Sequence, residues 1–268
     1  MRSRPRWEFV ISQGTPVMPL LNLYGVPFSQ PVRTVIWLLL LKKQPFQLVP
    51  TNPGSKGKTG SRHPTYLVKN PSGTIPCLEE TDTGYTLGEA HAIITYLCQK
   101  FGWTDLYPDD LKVRGRVDWY LNFHHRNIRD ASSGMVAPNI RKDLDIPEHV
   151  QERAKRTFTE GLTTLERFQL AGDRFIAGRD LTVADLSAYA EIGQLQPQFT
   201  NLFNFGPFPN VQRWLTEMHQ VPFHDDAHVA LSEIADISKE APSMDTIRSA
   251  NVNAIGVLKD TVATFSAA

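Results

Sequence analysis

Cysteine is scarce in this chain: only Cys77 and Cys98 occur in 268 residues. Two cysteines cannot build the bridged framework of a small secreted scaffold, and neither stands at a metal-ligand spacing. No metal site is expected. That usage suits a reducing compartment, so a cytoplasmic location is expected. An excess of one charge is missing too, because 28 Lys and Arg balance 28 Asp and Glu. A nucleic-acid partner, which needs a broad basic face, is therefore not expected. Nor is a membrane span, which takes about 18 consecutive apolar residues. The longest apolar stretch, Val35–Leu41, has the length of a buried helix segment. No internal repeat is present.

What is present is an ordinary globular composition, 41% hydrophobic, with fourteen Phe and five Trp to fill cores. The length allows one large domain or two ordinary ones. Residues 1–18 carry Arg2, Arg4 and Arg6 before the first acid, Glu8. They read as a disordered extension. A mitochondrial presequence is the alternative, although no amphipathic pattern supports it.

Periodicity divides the rest into two parts and a tail. Leu20–Tyr24 reads as a strand ended by Gly25. Ser29-Gln30-Pro31 opens a helix that runs to Lys43, with Val35, Ile36, Leu39 and Leu40 on one face. Phe46–Val49 is a second strand, parallel to the first because a helix intervenes. Residues 51–64, rich in Gly, Lys, Ser and Thr, read as a mobile loop. Cys77–Glu80 and Tyr85–Leu87 flank Asp82-Thr83-Gly84, a hairpin signal, before a helix over Glu89–Phe101. Beyond the Gly102–Asp109 connector only helical periods occur: Leu111–Ile128, Pro147–Leu170, Val183–Leu195, Val211–Gln220 and His224–Ser238. The expected division is an α/β domain over 19–102, an all-helical domain over 110–240, and a tail over 241–268 with a last helix near Val252–Phe265.

The order β-α-β-loop-β-β-α matches a thioredoxin-like fold, in which Ile75-Pro76 would precede the hairpin as a cis-proline turn; read alone, it is a trans-proline in a loop. The segment from Leu23 to Arg33, with Ser29-Gln30-Pro31-x-Arg33, resembles the first strand and catalytic turn of theta-class glutathione transferases. Asn70-Pro71-x-x-x-Ile75-Pro76 resembles that family's cis-proline segment, and Leu87-x-Glu89-x-x-Ala92-Ile93 its γ-glutamyl-binding turn. In the second half, Arg114 to Arg129 and Phe175 to Asp185 resemble the family's first long helix and its folding motif. Thr182 and Asp185 would form a capping box there. The likeness covers roughly residues 20–235.

The resemblance implies an enzyme of the glutathione transferase fold. It would use glutathione as co-substrate and add its thiolate to a small hydrophobic electrophile such as an alkyl or aryl halide, an epoxide or an activated ester. No tightly bound cofactor is implied, and a homodimer is expected. Ser29 would donate a hydrogen bond to the sulfur; read alone, it is a helix cap. Ile75 beside Pro76 would pair with the cysteinyl backbone, while Glu89 and the Ala90 N–H would hold the γ-glutamyl end. Ala90 departs from the family's serine, and Gly88 replaces a better cap, so weaker glutathione binding is expected. His63 would meet the glycine carboxylate, its alternative being a solvated loop residue. His125 and Arg129, four apart on one helical face, would border an otherwise apolar electrophile pocket, their alternative being a solvated polar face. Cys77 and Cys98 read as buried thiols. The alternatives are a non-catalytic interaction or ligand-holding protein of this fold and a glutathione-dependent dehalogenase.

Overall fold

The computed structural model describes residues 21–141 and 144–265; the extension expected over 1–18 lies outside them. The first strand, β1 (Leu21–Gly25), alternates buried and half-buried side chains, as a strand under one helical layer must. It pairs in parallel with β2 (Phe46–Pro50), Leu23 facing Leu48, and antiparallel with β3 (Cys77–Glu80), Leu23 facing Leu78. The strand β4 (Thr86–Gly88) closes the sheet in the order β2-β1-β3-β4. Gly84, at φ 69°, turns the hairpin between β3 and β4 and donates its N–H to the Glu80 carbonyl.

Helix α1 (Gln30–Leu41) is buried on every side: from Val32 to Leu40 no residue is more than 2% exposed. The sequence pattern pointed to a single apolar face. The difference arises because α1 is enclosed: Val32 packs closely on Gly25 of β1, α3 (Ala90–Phe101) lies against it within the first domain, and two helices of the second domain pack on it from the other side. Those helices are α7 (Val183–Ile192) and α9 (His224–Ile234). The unbroken run Val35–Leu41 is the sequence form of that double burial.

The loop expected to be mobile is folded on itself. Asn52 N–H donates to the Thr59 carbonyl, Ser61 and Arg62 N–H close back on Asn52 and Ser55, and Ser61 is fully buried. A single-turn helix, α2 (Pro64–Leu67), follows, and α3 (Ala90–Phe101) ends at Gly102 in the left-handed conformation.

The second domain begins with α4 (Leu111–Asn127), whose first turn is capped by the Asp110 carboxylate accepting from the Lys112 and Val113 N–H groups. A π-helical turn at Ser132–Val136 and the short α5 (Ala137–Ile140) lead to α6 (Glu148–Thr164). Gly134 allows that approach, since a Cβ there would lie 2.0 Å from the Cβ of Ala154. After α7 come α8 (Pro209–His219), α9 and a last helix, α10 (Met244–Phe265), eight residues longer at its start than periodicity indicated. Mostly polar residues at 244–249 hide that start in the sequence; the buried stripe Ala250, Ala254 and Leu258 packs α10 against α9.

One carboxylate organises the helical core. Asp185, fully buried at the start of α7, accepts from the Thr182 N–H and hydroxyl, from the Ile176 N–H at 2.9 Å and from the Trp214 indole at 3.0 Å. The capping box is present, and the same side chain ties α7 to the preceding loop and to α8. Burial pushes the Asp185 carboxyl up to about 6 even with these donors.

Candidate active site

Where the sheet domain meets α4 and α7, a cavity of about 160 Å3 opens. Three pieces of the first domain form one wall. Gln30, Pro31 and Thr34 come from the first turns of α1, Thr74, Ile75 and Pro76 from the turn before β3, and Glu89, Ala90 and His91 from the start of α3. The Ile75–Pro76 bond is cis, and the Ile75 backbone N–H and carbonyl take part in no hydrogen bond within the described residues. The first turns of two helices, α1 and α3, lie in this wall, and the positive end of a helix dipole sits at its N-terminus.

Ser29 occupies the N-cap position of α1, yet its hydroxyl makes no capping hydrogen bond. Ser29 is half-buried and directly precedes Gln30 and Pro31, which line the cavity, but it does not line the cavity itself. The backbone N–H of its neighbour Phe28 donates to the Asn251 side chain at 2.9 Å, so α10 is fastened to this turn. Arg33, completely buried one turn along α1, donates to the Phe28 carbonyl and, at 2.9 Å, to the Ala190 carbonyl of α7. Burial lowers its pKa to about 10, partly offset by the nearby Glu191 carboxylate, so the guanidinium stays charged. It locks the turn to the second domain.

Glu89 is the N-cap of α3, at φ 66°, and is exposed, while Ala90 is buried behind it. Gly88 does not stand in for a cap. It ends β4, and a Cβ there would come within 2.8 Å of the Asn70 side-chain oxygen, so any larger residue would have to displace that buried, hydrogen-bonded side chain.

The opposite wall is polar, where the sequence suggested apolar side chains. His124 and His125 of α4, with Arg129 in the turn just after that helix, face Ser187 and Glu191 of α7. Arg129 donates to Glu191 at 3.0 Å, and the same carboxylate accepts the Ser132 N–H at 2.9 Å. Gln194 donates to the Ser132 hydroxyl and accepts from Gln30 at 2.6 Å, carrying this polar chain into the first domain. The ring of His91 lies 4.9 Å from that of His124 and 4.6 Å from that of His125, and its Nε2 is 2.6 Å from the Ser187 hydroxyl. Burial, with His125 nearby, pushes His91 down to about 3; burial also drives His124 well below the usual imidazole range. Both rings are neutral at physiological pH.

Of the residues singled out in the sequence, the structure brings Ile75, Pro76, Glu89, Ala90, His125 and Arg129 together around the cavity, whereas Ser29 is not among its lining residues. His63 does not line it: the side chain caps α2, its Nδ1 2.8 Å from the Thr65 hydroxyl. Sequence reading passed over His91, His124, Ser187 and Glu191. Glu191 did carry a signal, being an acid late in the largely apolar helix Val183–Ile192, where a buried charge demands a partner.

Residues 23–105 match the family model for the glutathione S-transferase N-terminal domain, and residues 126–222 match that for its C-terminal domain. Glutathione S-transferase theta-2 of Rattus norvegicus is 33% identical over 191 residues, 70% of this chain and 76% of that protein. The chain belongs to the glutathione S-transferase family. The fold is equally that of a glutathione S-transferase: human glutathione transferase theta-2, solved in complex with glutathione and an unknown ligand, superposes with a TM-score of 0.68. That comparison covers 88% of this chain and 98% of the human one at 25% identity. Glutathione S-transferase T2 of Arabidopsis thaliana is 29% identical over 240 residues, 84% of this chain. The match spans only 39% of that relative's length. Within the family frame, the thioredoxin-like domain supplies the wall with the two helix N-termini, and the helical domain supplies the polar wall facing it.

Proposed function

We propose that the protein is a glutathione transferase that binds glutathione along the α1, Pro76 and α3 wall and presents its sulfur to an electrophile held against α4. The observation that carries this reading is the convergence of both helix N-termini and the free Ile75 backbone on one cavity. The Ile75 N–H and carbonyl pair with the extended cysteinyl residue. The first N–H groups of α3, beginning at Ala90, receive the γ-glutamyl carboxylate. The hydroxyl of Ser29 is committed to no cap, so it is free to donate to the sulfur.

A thiol of ordinary pKa near 8.5 is mostly protonated at neutral pH. One charge-assisted hydrogen bond and the α1 dipole together lower it by one to two units, about 1.4–2.7 kcal/mol of thiolate stabilisation. The proton leaves to solvent. The thiolate then attacks the electrophilic carbon, forming the S–C bond as the leaving group departs with its electron pair. His125 and Arg129 face that departing group. Because Arg129 already shares its charge with Glu191, the pair orients a polar leaving group rather than offering a naked cation. The polar wall favours electrophiles that carry a hydrogen-bonding group over purely hydrocarbon ones. The protein works as a homodimer in the cytoplasm.

The ultraviolet absorbance of bound glutathione thiolate, titrated with pH, tests the proposal. In the wild type the thiolate appears one to two pH units below its value in free glutathione, and in Ser29→Ala that shift is lost. Absence of binding at millimolar glutathione would remove the enzymatic reading and leave an interaction domain of the same fold.

A further inference from the structure

Among the described residues, one group of three metal-ligating side chains comes together: His219, His224 and Asp225, with ligand atoms all within 4.8 Å of one another. None of them lines the cavity between the domains. His219 ends α8 and His224 begins α9. The tight turn between them is held by the Trp37 indole donating to the Pro222 carbonyl at 2.9 Å and by Phe223 at φ 60°, a conformation bulky residues seldom adopt. This turn brings the two imidazole rings to 4.3 Å.

The three side chains differ in a way that suits an ion. His224 is buried and fixed: its Nε2 lies 2.7 Å from the Tyr189 hydroxyl, itself a hydrogen-bond partner of Gln196, and its ring stacks on His228. Such an outer partner is what orients a ligating imidazole. The other nitrogen, Nδ1, faces outward to Asp225 at 2.7 Å. His219 and Asp225 are both exposed, so they are free to adjust around an ion arriving from solvent.

We propose that His219, His224 and Asp225 bind one divalent transition ion of the zinc class, with water as the fourth ligand. Two imidazoles with one carboxylate select Zn2+, Co2+ or Ni2+ over Mg2+ and Ca2+, which take oxygen ligands. Ligand atoms on a tetrahedral zinc lie about 3.3 Å apart. Asp225 therefore swings slightly away from His224, and His219 closes in. His224 takes the tautomer with its proton on Nε2, and the Tyr189 hydroxyl, donor or acceptor, serves either form. The ion clamps α8 to α9, the helix on which α10 packs.

Isothermal titration of untagged full-length protein with Zn2+, paired with Co2+ absorption spectra, tests the site. One ion per chain binds with micromolar or tighter affinity, and Co2+ gives the visible bands of a four-coordinate site. His219→Ala and Asp225→Asn each weaken binding at least about tenfold, since even outer-shell losses cost that much. Both positions are exposed, so both variants keep the metal-free melting temperature of the wild type. His149→Ala, which removes an exposed histidine of α6, leaves binding unchanged. Absence of saturable binding, or binding that survives His219→Ala, overturns the proposal.

Discussion

Asp185 sits where a single side chain holds three segments, and its four donors belong to residues from the loop before α7, from Thr182 and from α8. Replacing it with alanine leaves two backbone N–H groups and an indole N–H buried without partners. Each orphaned donor costs about 1–3 kcal/mol. Asp185→Ala is therefore expected to lose several kcal/mol in urea denaturation, whereas Asp185→Asn, which keeps one acceptor oxygen, loses less. Arg33 is a second such residue. Its bonds to the Phe28 and Ala190 carbonyls need the forked geometry of a guanidinium, so Arg33→Lys keeps the charge and loses at least one bond. That variant is expected to unfold at lower urea and to bind glutathione more weakly, because the turn carrying Ser29 loosens. Ser29 illustrates how one residue is read differently at two levels. In the sequence it looks like a helix cap, and the extended backbone at Ser29 fits that role, but the hydroxyl caps nothing.

At the scale of elements, Gly134 sets the distance between the π-helical turn and α6. A methyl group there would overlap Ala154, and the overpacking is expected to cost Gly134→Ala about 1–3 kcal/mol, read from the urea midpoint at unchanged m-value. The last helix is tied to the turn before α1 by Asn251 and to α9 by Thr261, whose hydroxyl donates to Asp226 at 2.7 Å. Asn251→Ala removes one hydrogen bond of about 1 kcal/mol; its expected signature is a raised KM for glutathione with little change in melting temperature. Strand and helix positions were largely legible in the sequence, because alternation in β1 and Gly84 in the hairpin act locally. The start of α10 was not, since six mostly polar residues precede its first buried side chain. The folded loop over 51–64 was not legible either. Its composition says only that glycine and polar residues abound, while its order comes from backbone bonds between Asn52 and Thr59 that no local pattern announces.

Across the whole molecule, buried histidines govern the response to acid. His91 titrates near 3 in the fold against an ordinary 6.5, and His124 is also held far below that value, facing His91, His125 and Arg129. As pH falls below 6.5, the unfolded chain takes up protons that the native rings refuse, so stability present above 6.5 is lost progressively toward 3. Asp185, raised to about 6, works in the opposite direction between 6 and 3.8, but one carboxyl is outnumbered by two imidazoles. Melting temperature is expected to fall from pH 7 to pH 4.5, and His91→Gln, which still reaches Ser187, is expected to flatten the slope. An unchanged slope would refute the assignment. The polar wall to which His124 belongs was hidden from the sequence because it joins residues of α4 and α7, which meet only in three dimensions, and His91 reaches it across the cavity from α3. The first wall was visible because each of its pieces is a short local motif.

The double burial of α1 has a consequence for anyone dividing this chain. A fragment ending in the Gly102–Asp109 connector would bare Trp37, several leucines and the Arg33 guanidinium to water in a single stroke. Such a half-molecule is expected to precipitate or to stay molten, and scanning calorimetry of the intact chain should give one endotherm rather than two. The two halves are named as domains, yet they are expected to melt as one body.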